Sequence, residues 1–206
     1  SAPGFFFLMG MGMWLFAQSR HKKGWNNWQI IGHFLLRGAI LIALQFFVVN
    51  RAWELSPGGW VLEKYVGVLF ALGGSMILLS PLTLADTRAL LPTTVFFLFA
   101  NGYLPPMPNE WGTQFNIIQQ LLAIPGGDLG LWVNYPILPW VPLVTLGMLF
   151  GHWLNTDREK AYQRALLIGI AFLLAFIITR PLGDFWNIRP LITENWIDFL
   201  KVVKYP

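Results

Sequence analysis

The stretch NYPILPWVPLVTLGMLFGHWL, residues 134–154, decides the fold class. From its middle onward it is apolar enough to cross a bilayer, which takes about 20 such residues in a helix. Its head is different. Pro136, Pro139 and Pro142 fall within seven residues, beside Asn134, Tyr135 and Trp140. Proline is tolerated in a helix's first turn, where its missing amide has no partner to lose. The pattern therefore predicts a rigid, partly polar entrance and a continuous helix from near Pro139. Gly147 and Gly151 lie four apart and give the later turns a face for close helix packing.

The same reading extends along the chain. Of 206 residues, 55% are hydrophobic and 12% charged, about half the charge of an ordinary soluble domain. Apolar blocks at 2–17, 30–49, 61–82, 90–104, 134–154 and 161–178 predict an all-α, polytopic transmembrane helical bundle of about six spans, a single membrane-embedded domain over 1–206. Helices suit such a chain because irregular backbone in lipid would leave amides unpaired. The lipid bilayer is then the first partner. Residues 105–134 form a long connection rich in Pro, Gly and Asn, within which Trp111, Phe115, Ile118 and Leu122 approach helical spacing, the pattern of an interfacial helix. A polar segment follows the last span.

Basic residues set an expected orientation. Arg20, Lys22, Lys23, Arg88, Arg158, Lys160 and Arg164 lie in or beside the connections 19–29, 83–89 and 155–161, which are expected to be cytoplasmic. The other connections hold Arg51, Arg180 and Arg189, with Lys64 at the edge of a span, and face outward. The net charge of +4 fits this role better than nucleic-acid binding. Cysteine is absent, which excludes disulfides, thiolate metal sites and a cysteine nucleophile. His21, His33 and His152 lack carboxylates at metal-ligand spacing, so no metal is expected. No nucleophile-elbow or phosphate-loop motif occurs.

Arg37 is the most informative single residue. It lies four after His33, so both project from one helix face. A charge at that depth is costly unless paired or wetted. It either snorkels to headgroups or binds an anion, for which its planar fork suits phosphate. Lys22 and Lys23 are close enough in sequence to share a phosphorylated ligand. His33 by itself is equally compatible with a structural, hydrogen-bonded role. On the outward side, Asn134, Tyr135, Trp140 and Asp184, with Trp132, Trp186 and Trp196, suit either an interfacial aromatic belt or a sugar-like ligand.

Three segments carry a resemblance. PGFFFLMGMGMWLF at Pro3–Phe16, the Tyr135–Gly151 element of the opening stretch, and Lys204–Tyr205–Pro206 in DFLKVVKYP occur in the order found in a known family; Arg37–Gly38 also fits. The chain resembles bacterial membrane proteins related to heparan-α-glucosaminide N-acetyltransferase, within a wider transmembrane acyltransferase superfamily. The resemblance implies a bacterial inner-membrane location. It implies transfer of an acyl group, usually acetyl, from acetyl-CoA or another acyl-CoA in the cytoplasm to a glycan or similar acceptor outside. On that reading Arg37, His33, Lys22 and Lys23 face the coenzyme A phosphates. Asn134, Tyr135, Trp140 and Asp184 face the acceptor, and the opening stretch forms the rim of the acceptor site. The family's acetyl-transfer histidine lies upstream of the proline-aromatic segment, so no residue here inherits its role, and residues 1–206 alone are expected to be inactive. A homo-oligomer or a partner in a membrane complex is compatible with the pattern. So are a polar-solute transporter and a noncatalytic subunit, although the prolines cluster at span ends rather than at paired mid-span breaks.

Overall fold

The computed structural model describes residues 2–55, 59, 61–103 and 115–182. The chain is mainly helical, as the apolar blocks predict. The helices are α1 (Ala2–Lys22), α2 (Asn27–Glu54), α3 (Val68–Leu79), α4 (Leu90–Tyr103), α5 (Ile117–Leu122), α6 (Val141–Thr156) and α7 (Arg158–Thr179). Among the described residues, only α2 and α7 are both long and apolar enough to cross a bilayer. α3 has 12 residues, and at 1.5 Å per residue it covers about 18 Å. Length and apolar character thus single out two of the six expected spans.

Several boundaries differ from the expected ones for local reasons. α1 continues through Arg20, His21 and Lys22, cations that favour a helix C-terminus. The turn to α2 is then only residues 23–26. Gly24 stops α1 at φ +82, a backbone region that glycine enters without steric cost. Asn26 starts α2 with a capping box shared with Gln29. The expected connection 155–161 shrinks to Asp157, whose carboxylate caps Lys160 N at 3.1 Å. The expected span 61–82 loses its first third. Tyr65–Val66 pairs in parallel with Trp132–Val133, which pairs antiparallel with Gly126–Gly127. Strands this short carry no readable alternation, and the sequence did not announce them. The prolines behave as expected: a 3-10 turn at Leu138–Trp140 leads into α6, with Pro142 in its first turn. In the long connection, helix α5 forms behind an Asn116–Gln119 capping box, with Ile117 and Ile118 exposed.

Close helix pairs build the bundle, α1 running parallel to α6 and α2 antiparallel to α3. α1 lies on α6 so closely that a Cβ on Gly10 would sit 1.9 Å from Val144 O, and one on Gly147 2.0 Å from Phe7 O. α2 lies on α3 in the same way, with Gly38 and Gly73 each against the other's carbonyl oxygen at 2.7 and 2.5 Å from the added Cβ. These glycines let backbones touch, which is how helices associate without a hydrophobic driving force. α4 joins through Thr94 Oγ1, which donates to Thr145 Oγ1 at 2.7 Å. The core between them holds Phe6, Met13, Trp14, Phe34, Ala71, Met76, Leu90, Val144 and Met148. The arrangement leaves two distinct ends. At one lie the 23–26 turn, the 80–89 connection and Asp157. At the other lie the small sheet and α5.

Candidate functional site

The first end is cationic. Arg20, Lys22, Lys23, Arg88, Arg158 and Lys160 gather around it. Between the last turns of α1 and α6 an open cleft of about 300 Å³ is lined by Leu15, Gln18, Ser19, Lys22, Lys23 and Asn155. Two ammonium groups, two amides and a hydroxyl line it without a carboxylate, which makes it receptive to an anion.

His33 and Arg37 do not join that cleft, although α2, which carries them, starts directly after the basic turn. His33 is enclosed by rings. It stacks on Phe16 at 4.3 Å and 11°, and meets Trp25 and Phe34 edge-on. Its Nε2 is buried without a hydrogen-bond partner among the described residues. Arg20 lies over Phe16 at 4.9 Å and over Trp25 at 4.8 Å, a cation held by two π faces. Arg37, one turn further, is exposed and makes no ion pair among the described residues. Asp157 sits at the same end beside Lys160, 2.9 Å from its ammonium. The hydrogen bond from Lys160 holds the Asp157 carboxyl below the usual carboxylate range.

The second end is polar and aromatic. The Tyr65–Val66 strand is clasped to the chain before α6: Trp132 N donates to Lys64 O at 2.9 Å, and Asn134 N and Tyr135 N both donate to Val66 O, at 2.9 and 3.2 Å. The Asn134 side-chain amide donates to the Tyr65 hydroxyl. Tyr135 stacks on Trp140 at 5.4 Å, and Trp140 stacks on Phe6 at 4.5 Å and 9°. Trp140 is 2% exposed. It therefore backs Tyr135 from within the core rather than anchoring the entrance at a surface. Asp184 lies outside the described residues.

Three residues of this end escaped the sequence reading. Gln45, 1% exposed, and Asn50 sit inside α2 where Gln45–Val49 is π-helical. Gln45 Nε2 donates to Asn50 Oδ1 at 3.1 Å and to Tyr65 O at 3.4 Å. Tyr65 is the third. The signal available was two amides toward the end of a mainly apolar span, a costly placement unless paired. Among the described residues, no three of His, Asp or Glu come together as a metal site.

Apolar helices bare on their outer sides, cations at one end and amides with rings at the other are features of a membrane-embedded helical protein. The chain belongs to the family described as heparan-alpha-glucosaminide N-acetyltransferase, catalytic, which matches residues 1–182. Human heparan-alpha-glucosaminide N-acetyltransferase is 26% identical over 184 residues, covering 81% of this chain and 25% of the human protein. The chain thus spans about a quarter of that relative's length. No solved structure matches.

Proposed function

We propose that residues 1–206 form part of a membrane acetyltransferase. In this reading an acetyl group is received from acetyl-CoA at the cationic end and passed toward a glycan-like acceptor at the polar-aromatic end. The observation that carries it is the separation of chemistries across one bundle, in a chain of this family. The Lys22–Lys23 cleft would take phosphate, with Gln18, Ser19 and Asn155 supplying directed hydrogen bonds. Arg37 would meet the same ligand from outside the cleft, and His33, boxed by Phe16, Trp25 and Phe34, would support that approach. Asn134 and Tyr135, with Asp184, face the acceptor, and Trp140 supports Tyr135. The reaction also needs a general base, and none of these residues takes that role.

The six-span arrangement and its sidedness belong to the same proposal, with the cationic end in the cytoplasm of a bacterial inner membrane. The absence of cysteine from residues 1–206 lets a single introduced thiol report on this region. Ser19→Cys should be labelled by an impermeant thiol reagent only from the cytoplasmic side, and Asp128→Cys only from the other. Labelling of both from one side defeats the topology.

Coenzyme A binding to the full-length protein in nanodiscs tests the donor end. Lys22→Gln with Lys23→Gln should weaken affinity roughly tenfold or more, the scale of losing charge-assisted contacts. Unchanged affinity would remove the cleft from the donor site. Arg37→Ala within about twofold of wild type would remove Arg37 alone.

A further inference from the structure

The π-helical stretch in α2 has a geometric consequence. In a regular α-helix, residues five apart point about 140° away from each other. Gln45 and Asn50 are five apart, yet their side chains are hydrogen-bonded at 3.1 Å. The widened turn, closed by Asn50 N donating to Gln45 O, brings both amides to one side. Such bulges disturb the helix ladder and occur often at functional sites.

The same face meets the strand before α3. Gln45 Nε2 also reaches Tyr65 O at 3.4 Å. Gly67 lies so near that an added Cβ would stand 2.7 Å from Gln45 Oε1. Tyr65 in turn accepts from the Asn134 amide through its hydroxyl, and the next residue, Val66, accepts from both Asn134 N and Tyr135 N. One unbroken path runs from the bulge to the two residues at the head of the α6 entrance. Tyr65 takes part at both its ends, backbone oxygen to Gln45 and hydroxyl to Asn134.

We propose that Gln45 and Asn50 are positioning residues that fix Asn134 and Tyr135 through Tyr65. Their effect on acceptor binding rests on the function proposed above. Direction of donation makes the inference specific. Asn50 only accepts here, so Asn50→Asp preserves the bond from Gln45, whereas Asn50→Leu removes it. Gln45 donates both bonds, and the carboxyl of Gln45→Glu, ionised or neutral, cannot keep the pair, while Gln45→Met loses both at nearly constant volume.

The test uses the full-length protein. Hydrogen exchange at the Asn134 and Tyr135 amides should quicken roughly tenfold in Gln45→Glu and Asn50→Leu, with Asn50→Asp close to wild type and α1 unchanged. Unchanged exchange in Gln45→Glu and Asn50→Leu, or equal quickening in Asn50→Asp, overturns the inference whether or not the protein transfers acetyl groups. In the transfer assay, Gln45→Glu should raise the acceptor KM severalfold and leave the acetyl-CoA KM as it was. Equal movement of both KM values would reduce the pair to a purely structural role and overturn the inference. Absence of transfer by wild type would defeat the proposed function alone, and the exchange result would still decide this one.

Discussion

α1 and α7 are almost the same length, 21 and 22 residues, and both are apolar over most of that length. Their surroundings are opposite. α1 buries Phe6, Gly10, Met13, Trp14 and Ala17 against the bundle. α7 buries only Ala161, and it leaves Leu166, Leu167, Ile170, Leu173 and Ile178 exposed. The difference lies in where small residues meet a partner. Gly10 and Gly147 open room for opposing backbones, while Gly169 faces open space, with nothing within 4 Å of an added Cβ. An apolar segment drives a helix out of water, but complementary small residues decide which neighbour it takes. A helix apolar all round and bare on nearly every side is at home in lipid or against further protein.

The sharpest way to break this contrast is to fill the glycines. Gly147→Ala and Gly10→Ala each drive a methyl into a backbone carbonyl, which cannot rotate away as a side chain would. Each should cost about 3 kcal/mol, the upper part of the overpacking range. Gly169→Ala should be neutral or stabilise by up to about 1 kcal/mol through helix propensity. Denaturant unfolding in detergent micelles reads all three. Equal costs at Gly147 and Gly169 would mean that α1–α6 contact is no tighter than α7's surroundings.

That contrast also marks what the sequence could tell. Hydrophobic blocks announced the helices, and the prolines at 136, 139 and 142 announced the start of α6, because both signals are local. The Gly147–Gly151 pair announced a packing face but not its partner, since nothing local says that Phe7 and Met11 lie opposite. The block 61–82 misled because Val66 is apolar for a different reason: it is buried in a two-residue strand. The site was legible as two poles of charge and aromaticity. Its connections were not. His33 and Arg37 share a helix face by spacing, yet one is boxed by Phe16 and Trp25 and the other exposed. The Gln45–Asn50 pair was hidden because a regular helix forbids it. Trp140 looked like an interfacial anchor until Phe6 covered it.

A smaller effect separates polar ties from apolar packing. Thr145 bonds to Thr94 between helices, whereas Thr93 donates only to Ala89 O within its own helix. Thr145→Val should therefore destabilise by about 1 kcal/mol, and Thr93→Val by clearly less. The same unfolding measurement ranks them, and a larger loss at Thr93 would place the α4–α6 tie elsewhere.

The smallest effect tests how α7 is fastened at its bare start. Asp157 accepts from Lys160 N, and its lowered pKa means that the folded chain favours the carboxylate. Its contribution is therefore complete above the unfolded value near 4 and disappears as pH falls through the lower folded value. Lys160 amide exchange, corrected for its intrinsic pH dependence, should show constant protection from pH 7 to about 5 and a loss only below about 4. Asp157→Asn keeps a cap oxygen without the charge. It should remove the acid step yet retain most protection at neutral pH. Loss of protection already at pH 6, or an acid step that survives Asp157→Asn, would mean that some other group holds α7 to α6.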